Sequence, residues 1–164
     1  MKRWSKILLF CLCSLTLVSW DRVTKDMAKE HLMNSEPVSY FHNTFRLEYV
    51  ENTGAAMNMG DGLPKAASFW LLSILPLAFM LGLAFYTIKN SKEMPLAKMM
   101  AFSLLIAGGL GNIIDRLLFD PHVADFMNIG INHIRTGIFN FADVFVTTGA
   151  ICLLLFYIKN PRVV

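Results

Sequence analysis

The residues of this chain that could do chemistry are polar side chains that interrupt long apolar segments. Asn112, Asp115 and Arg116 lie at the end of one such segment, and Asn140 and Asp143 lie at the start of the next. Placing a carboxylate in hydrocarbon costs about 2.5–3.5 kcal/mol even on the mildest insertion scale, so these residues should face a protein interior or a functional site. The sequence therefore predicts a polar site where the two apolar segments meet.

A third carboxylate, Asp125, lies in the chain between these segments. Two carboxylates that lie close together in a low dielectric do not both ionise easily, so one of them keeps a proton. Such a pair can hold a water molecule, with one group acting as base and the other as acid. Hydrolysis by a pair of aspartates is the first chemistry that the pattern indicates.

Other interpretations of these polar residues stay open at this point. They could form a proton or ion pathway, although a transporter usually places its site near the membrane midplane and these acids lie at one rim. Asp115 and Arg116 could be an ion pair that ends a helix, with the asparagines as interhelical hydrogen bonds. A zinc site of His122, Asp125 and His133 is a further alternative. The histidines lack H-E-x-x-H spacing, so we expect no metal and no other cofactor.

The composition indicates an integral membrane protein of one domain. Of 164 residues, 55% are hydrophobic and only 16% are charged, which a soluble domain of this size would not need. The apolar segments predict four transmembrane helices at about 7–27, 66–88, 96–118 and 137–158. The net charge of +3 comes without a basic patch carrying interleaved aromatic residues, so we expect no nucleic-acid binding.

The pattern changes outside the apolar segments. Residues 38–52 are rich in β-branched and aromatic side chains with a turn at Asn43-Thr44, which predicts a small extramembrane hairpin. Glycines in 54–62 indicate a bent loop around a short helical turn. Residues 119–135 are predicted to form a polar loop. The first span has the basic start of a secretory signal, but no small-residue cleavage site follows, so we expect it to be retained.

Charge predicts how the protein lies in the membrane. Four spans place the N-terminus, the loop after the second span and the C-terminus on one side of the bilayer. That side carries eight basic residues and one acidic residue: Lys2, Arg3, Lys6, Lys89, Lys92, Lys98, Lys159, Arg162 and Glu93. By the positive-inside rule both termini are cytoplasmic. The hairpin and the polar helix ends then face the outside.

Five stretches of the sequence, in this order, resemble the motifs of the lipoprotein signal peptidases, the type II signal peptidases of bacteria. They read D-R-V-T-K at 21–25, N-T-G-A-A at 52–56, G-G-L-G-N-I-I-D-R at 108–116, V-A-D at 123–125 and F-N-F-A-D at 139–143. The resemblance covers essentially the whole chain. It implies an all-α integral membrane protein with four transmembrane helices, a small extracytoplasmic β-cradle or hairpin, and a short lid helix.

The resemblance also implies an activity. The family consists of metal-independent aspartyl endopeptidases of the bacterial inner membrane, which cut the signal peptide from prolipoproteins immediately before a diacylglyceryl-modified cysteine. By resemblance Asp125 and Asp143 are the catalytic pair. The implied supporting or substrate-binding residues are Asp21, Lys25, Asn52, Gly54, Asn112, Asp115, Arg116 and Asn140. The implied partners are a lipidated prolipoprotein, membrane lipid and inhibitory peptides of the globomycin type, and the implied state is a monomer.

Three positions depart from the family pattern. Arg22 stands where Gln is commoner, Met57 where Phe is usual, and Ala124 where a branched residue is usual. None of the three is one of the two aspartates. The departures therefore bear only on how the lid meets the substrate.

Overall fold

The computed structural model describes residues 1–54, 62–119 and 122–159. Within these ranges it contains four long apolar helices: α1 (Arg3–Leu32), α2 (Lys65–Lys89), α3 (Leu96–Leu118) and α4 (Phe141–Lys159). Their lengths and composition suit a bilayer, so the predicted four-span architecture is confirmed. The predicted lid at 54–62 lies outside the described residues except for Gly54 and Gly62, and Met57 and Arg162 lie outside them as well.

α3 lies at the centre of the bundle and packs against each of the other three helices. Glycines allow α3 and α4 to come into backbone contact. A Cβ at Gly149 would meet the Leu105 nitrogen at 2.6 Å, and a Cβ at Gly108 would overlap the Ala142 carbonyl oxygen. Small residues at such contacts let membrane helices pack closely. This contact fixes the start of α4 against the end of α3.

The outward faces of α1, α2 and α4 carry large exposed apolar side chains, among them Leu8, Leu15, Phe79, Phe85 and Leu155. Exposed apolar surface of this extent is not stable in water and belongs against lipid. The chain is therefore a multi-pass membrane protein, and its core is the stripe of α3 that faces inward.

A four-stranded antiparallel sheet lies at one end of the bundle. Its strands follow the order β1 (Val38–Tyr40), β2 (Phe45–Asn52), β3 (Val123–Ile131) and β4 (Ile134–Arg135). The predicted hairpin is confirmed as β1 and β2. The turn between them is wider than predicted, because Phe41 and His42 also adopt positive φ, at 51° and 52°, ahead of Asn43 at 67°.

The prediction of a polar loop at 119–135 is wrong, because this stretch contains β3 and β4. Asn132, with φ of 53°, and His133 form the two-residue turn that places Ile131 opposite Ile134. The other partner of β3 is β2, which lies far away in the sequence. A strand whose partner is this remote gives little local signal beyond its own apolar residues.

α4 begins at Phe141, later than the predicted 137. Asn140 and Asp143 form a reciprocal cap at this point. The Asp143 backbone N–H donates to Asn140 Oδ1 at 3.0 Å, and the Asn140 N–H donates to Asp143 Oδ2 at 3.1 Å. Such a capping box satisfies two N–H groups that have no partner within the helix. Asp143 consequently lies in the first turn of α4.

Candidate active site

Asp125 and Asp143 line one cavity with a volume of about 310 Å³. Asn52, Asn112 and Arg116 line the same cavity. It lies where the end of α3 and the start of α4 meet the sheet. Residues from β2, α3, β3 and α4 thus come together, although they are spread over some ninety positions of the sequence.

The sheet positions Asp125, which lies in β3. The antiparallel register of β2 and β3 puts Asn52 diagonally from Asp125, and its Nδ2 donates to Asp125 Oδ2 at 3.0 Å. After β4 the chain folds back so that Phe139 pairs with Met127. This return brings Asn140 beside Asp125, where its Nδ2 donates to Asp125 Oδ1 at 2.6 Å. Both oxygens of Asp125 therefore accept a hydrogen bond from an amide.

The helices position Asp143. Its Oδ1 accepts a hydrogen bond from Asn112 Nδ2 at 2.8 Å, and its Oδ2 accepts the Asn140 N–H of the cap. Asn112 Oδ1 in turn accepts from Asn140 Nδ2 at 3.1 Å and from Lys25 Nζ at 3.0 Å. Asn140 is fully buried and contacts both aspartates, so it couples the strand that carries one acid to the helix that carries the other.

Burial raises the pKa of Asp125 to about 6, from an ordinary value of 3.8. The nearby charge of Asp143 raises this pKa as well, whereas the hydrogen bonds from Asn52 and Asn140 lower it. Asp125 can therefore gain and lose a proton close to neutral pH. This property is what a general acid or base needs.

Behind the cavity lies a buried charge cluster formed by Asp21, Lys25 and Asp115. Lys25 Nζ is 2.7 Å from Asp21 Oδ2 and 2.8 Å from Asp115 Oδ2, and each of the three residues is at most 2% exposed. Asp21 Oδ1 also accepts the Ala142 backbone N–H at 2.8 Å. The cluster therefore ties α1 to the end of α3 and to the first turn of α4. None of its members is among the residues that line the cavity.

Arg22 has a structural role that could not be predicted from the sequence. Its Nη1 donates to Asp115 Oδ1 at 3.1 Å, and its guanidinium lies 4.6 Å from the centre of the Phe119 ring. The residue thus closes the outer side of the charge cluster. The one available signal was its spacing from Lys25, which places both cations within one turn of α1.

Arg116 joins α3 to the end of the 52–54 segment. Its Nη2 donates to the Gly54 carbonyl oxygen at 2.8 Å, and its Nη1 donates to the Asn112 carbonyl oxygen at 3.2 Å. Gly54 N–H donates to Asn52 Oδ1 at 2.9 Å, which fixes that amide. Arg116 Nε is buried and has no hydrogen-bond partner in the described part of the chain. It is therefore a buried donor that no described residue satisfies.

The three residues of the alternative zinc site are not grouped in the part of the chain that the structure describes. His133 is exposed in the turn between β3 and β4, whereas Asp125 is buried in the cavity. Among the residues that the structure describes, no three His, Cys, Asp or Glu side chains are grouped as metal ligands. Asp125 instead takes its contacts from amides.

The chain is similar to known proteins along most of its length. The family model for Signal peptidase (SPase) II matches residues 13–159. Lipoprotein signal peptidases of Clostridium tetani (strain Massachusetts / E88) and Chlorobium phaeobacteroides (strain BS1) are 37% and 32% identical to it. These matches cover 85% and 91% of this chain and 86% and 95% of the relatives. A solved structure described as a bacterial membrane enzyme has a TM-score of 0.80 and 28% identity, over 94% of this chain and 90% of that one.

Proposed function

This chain belongs to the signal peptidase II family, and we propose that it is an aspartyl endopeptidase that cleaves the signal peptide from diacylglyceryl-modified prolipoproteins immediately before the lipidated cysteine. The observation that carries the proposal is the pair of aspartates on the wall of one cavity. Asp125 and Asp143 each accept two hydrogen bonds, so their oxygens have fixed positions. A rigid pair of carboxylates can hold one water molecule against a peptide bond.

The two aspartates share one proton in the proposed mechanism. The ionised carboxylate takes a proton from water as the water oxygen attacks the carbonyl carbon of the scissile bond. The protonated carboxyl gives its proton to the carbonyl oxygen. The tetrahedral intermediate then collapses, the C–N bond breaks, and a proton passes to the amine of the cysteine.

The neighbouring polar groups steady the acids and the substrate. The amides of Asn52, Asn112 and Asn140 occupy one lone pair on carboxylate oxygens, which leaves other lone pairs to face the cavity. Arg116 also lines the cavity, so its positive charge can stabilise the negative charge that develops on the substrate carbonyl oxygen.

A second cavity supports a lipid-bearing substrate. It has a volume of about 550 Å³ and is lined by Phe69, Trp70, Ser73 and Arg116, among others. Arg116 lines this cavity and the catalytic cavity alike, so the two adjoin. The lipid is attached to the residue next to the scissile bond and must therefore leave the catalytic cavity sideways. We propose that this side of α2 gives it room.

The activity is tested with matched substrates. Purified protein in detergent should cleave a lipidated prolipoprotein and leave the same precursor without lipid intact. Mass spectrometry should show a product that begins at the lipidated cysteine. A globomycin-type peptide should block the reaction, and a chelator should not, because the aspartates need no metal. Equal cleavage of both precursors, or loss of activity with the chelator, would contradict the proposal.

We propose that the protein lies in the bacterial cytoplasmic membrane with both termini inside and the active site near the outer face. Sequence charge supports this orientation. One contact among the described residues puts the N-terminus and the loop after the second span at the same end of the bundle, as this orientation requires. Lys6 Nζ donates to the Met94 carbonyl oxygen at 2.9 Å, which holds the basic start of α1 against the loop before α3. The aspartates and the sheet lie at the other end of the bundle.

The proposed orientation and the raised pKa of Asp125 together predict how kcat/KM depends on the external pH. In sealed right-side-out vesicles, kcat/KM should fall as the external pH rises above about 6, because Asp125 then loses the proton that the pair shares. The internal pH should have no effect. Asn52→Leu removes a hydrogen bond that lowers the pKa of Asp125, so the fall should move to higher pH. A rate that follows the internal pH would reverse the orientation.

A further inference from the structure

A large cavity lies at the end of the bundle opposite the catalytic site. Its volume is about 550 Å³, and its lining includes Tyr86, Glu93, Lys98, Phe102, Phe156 and Tyr157. Along α3, Lys98 and Asn112 are separated by about 20 Å at 1.5 Å per residue. The cavity is therefore separate from the proposed peptidase site, and nothing in the cleavage mechanism uses it.

The cavity follows from how the helices pack. Gly108 and Gly149 let α3 and α4 touch through their backbones. Towards the end of α4 the small residues give way to Phe156 and Tyr157, which line the cavity. Phe102 is buried in the wall, whereas Tyr86 and Tyr157 are 46% and 62% exposed at the surface. Tyrosines at the ends of spans typically lie at the level of the lipid headgroups.

The cavity carries one charge of each sign. Glu93 is the only acidic residue on the proposed cytoplasmic side of the sequence, and it lines the same cavity as Lys98. Neither residue forms an ion pair with another described residue. Glu93 and Lys98 line the same cavity but do not pair with each other. They are therefore suited to a ligand that carries one positive and one negative charge.

We propose that this cavity binds a phospholipid with a zwitterionic headgroup that carries a primary ammonium, namely phosphatidylethanolamine. Lys98 contacts the phosphate, Glu93 contacts the ammonium, and the start of one acyl chain lies along Phe102 and Phe156. Phosphatidylglycerol would leave Glu93 facing an anion. Phosphatidylcholine carries no N–H to donate, so it cannot make the charge-assisted hydrogen bond that an ammonium makes with a carboxylate.

Lipid retention tests the proposal on the whole protein. The purified chain is reconstituted in membranes of equal parts phosphatidylethanolamine, phosphatidylglycerol and phosphatidylcholine with the same acyl chains, and bound lipids are counted by native mass spectrometry. Wild type should retain phosphatidylethanolamine about tenfold over the other two, as one charge-assisted hydrogen bond allows. Glu93→Gln should remove this preference, and Lys98→Gln should weaken retention of all three. Lys92→Gln, an exposed change in the same loop outside the lining, serves as control.

The outcomes separate the proposal from ordinary lipid contact. Equal retention of the three lipids by wild type would overturn it, as would a preference that Glu93→Gln leaves unchanged. Preferential retention of phosphatidylglycerol would show a purely cationic site and contradict the role of Glu93. A change in oligomeric mass in place of lipid retention would assign the cavity to a second copy of the chain. None of these outcomes depends on the peptidase activity, which Glu93→Gln should leave unchanged.

Discussion

Asp143→Asn is expected to lower kcat for cleavage of a lipidated prolipoprotein by about 10³- to 10⁴-fold while the fold stays intact. Asparagine retains one oxygen to accept a hydrogen bond, so part of the contact with Asn112 and the Asn140 N–H survives. It cannot take a proton from water or give one to the peptide. The loss should therefore appear in kcat, with KM little changed, and a gel-based time course with purified protein measures both.

The control for this variant is a carboxylate that lies outside the site. Asp26 is exposed and pairs with Arg22 on the surface of α1, so Asp26→Asn should cleave at the wild-type rate. Because the two acids act as one unit, Asp125→Asn combined with Asp143→Asn should be only slightly slower than either single change. Activity of Asp143→Asn within tenfold of wild type would end the assignment of the pair.

The parts of the fold that depend on local sequence could be predicted. The four helices follow from apolar length alone, and the hairpin of β1 and β2 follows from alternation and a turn. β3 could not be predicted in the same way, because it pairs with β2, which lies more than seventy residues away in the sequence. The start of α4 was misplaced for a related reason. Apolar length continues back to 137, whereas the cap of Asn140 and Asp143 decides where the helix begins.

Residue types alone predicted a polar site where α3 and α4 meet, and the catalytic assignment within it stays a prediction. Residue chemistry alone left a hydrolytic pair, an ion pathway and structural contacts open, and the choice of Asp125 and Asp143 came from the family resemblance. The structure adds geometry that no spacing contains. Lys25 pairs with Asp21, four residues before it in α1, and it also contacts Asp115 and Asn112, about ninety residues away. Contacts between helices of this kind depend on the packed bundle, so a linear pattern does not encode them.

Lys25→Met is expected to lower the free energy of unfolding by about 3–5 kcal/mol, because it leaves two buried carboxylates without their shared cation. Lys25 is 1% exposed, and its Nζ is within 2.8 Å of both Asp21 and Asp115. Methionine matches the length of the stem but supplies no charge. Arg22 still contacts Asp115, so the larger effect falls on Asp21 and on its hydrogen bond to the start of α4. Thermal and denaturant unfolding in detergent measure the loss.

Two further variants show whether the unpaired buried carboxylates cause the loss of stability in Lys25→Met. Lys29→Met removes an exposed cation that is 3.5 Å from Glu51, so it should cost less than about 1 kcal/mol. Asp21→Asn and Asp115→Asn, added to Lys25→Met, remove the stranded charges while an amide oxygen still accepts the Ala142 N–H. That combination should recover most of the lost stability, because a buried charge cluster and a neutral replacement of similar shape often have similar energies. The kcat of Lys25→Met and of this combination should both be lower than that of wild type, since each lacks the Lys25 contact that orients Asn112 towards Asp143. A loss of stability in Lys25→Met no larger than that in Lys29→Met would contradict the role of the buried charge. A kcat that recovered together with stability would show that Lys25 has no part in positioning Asp143.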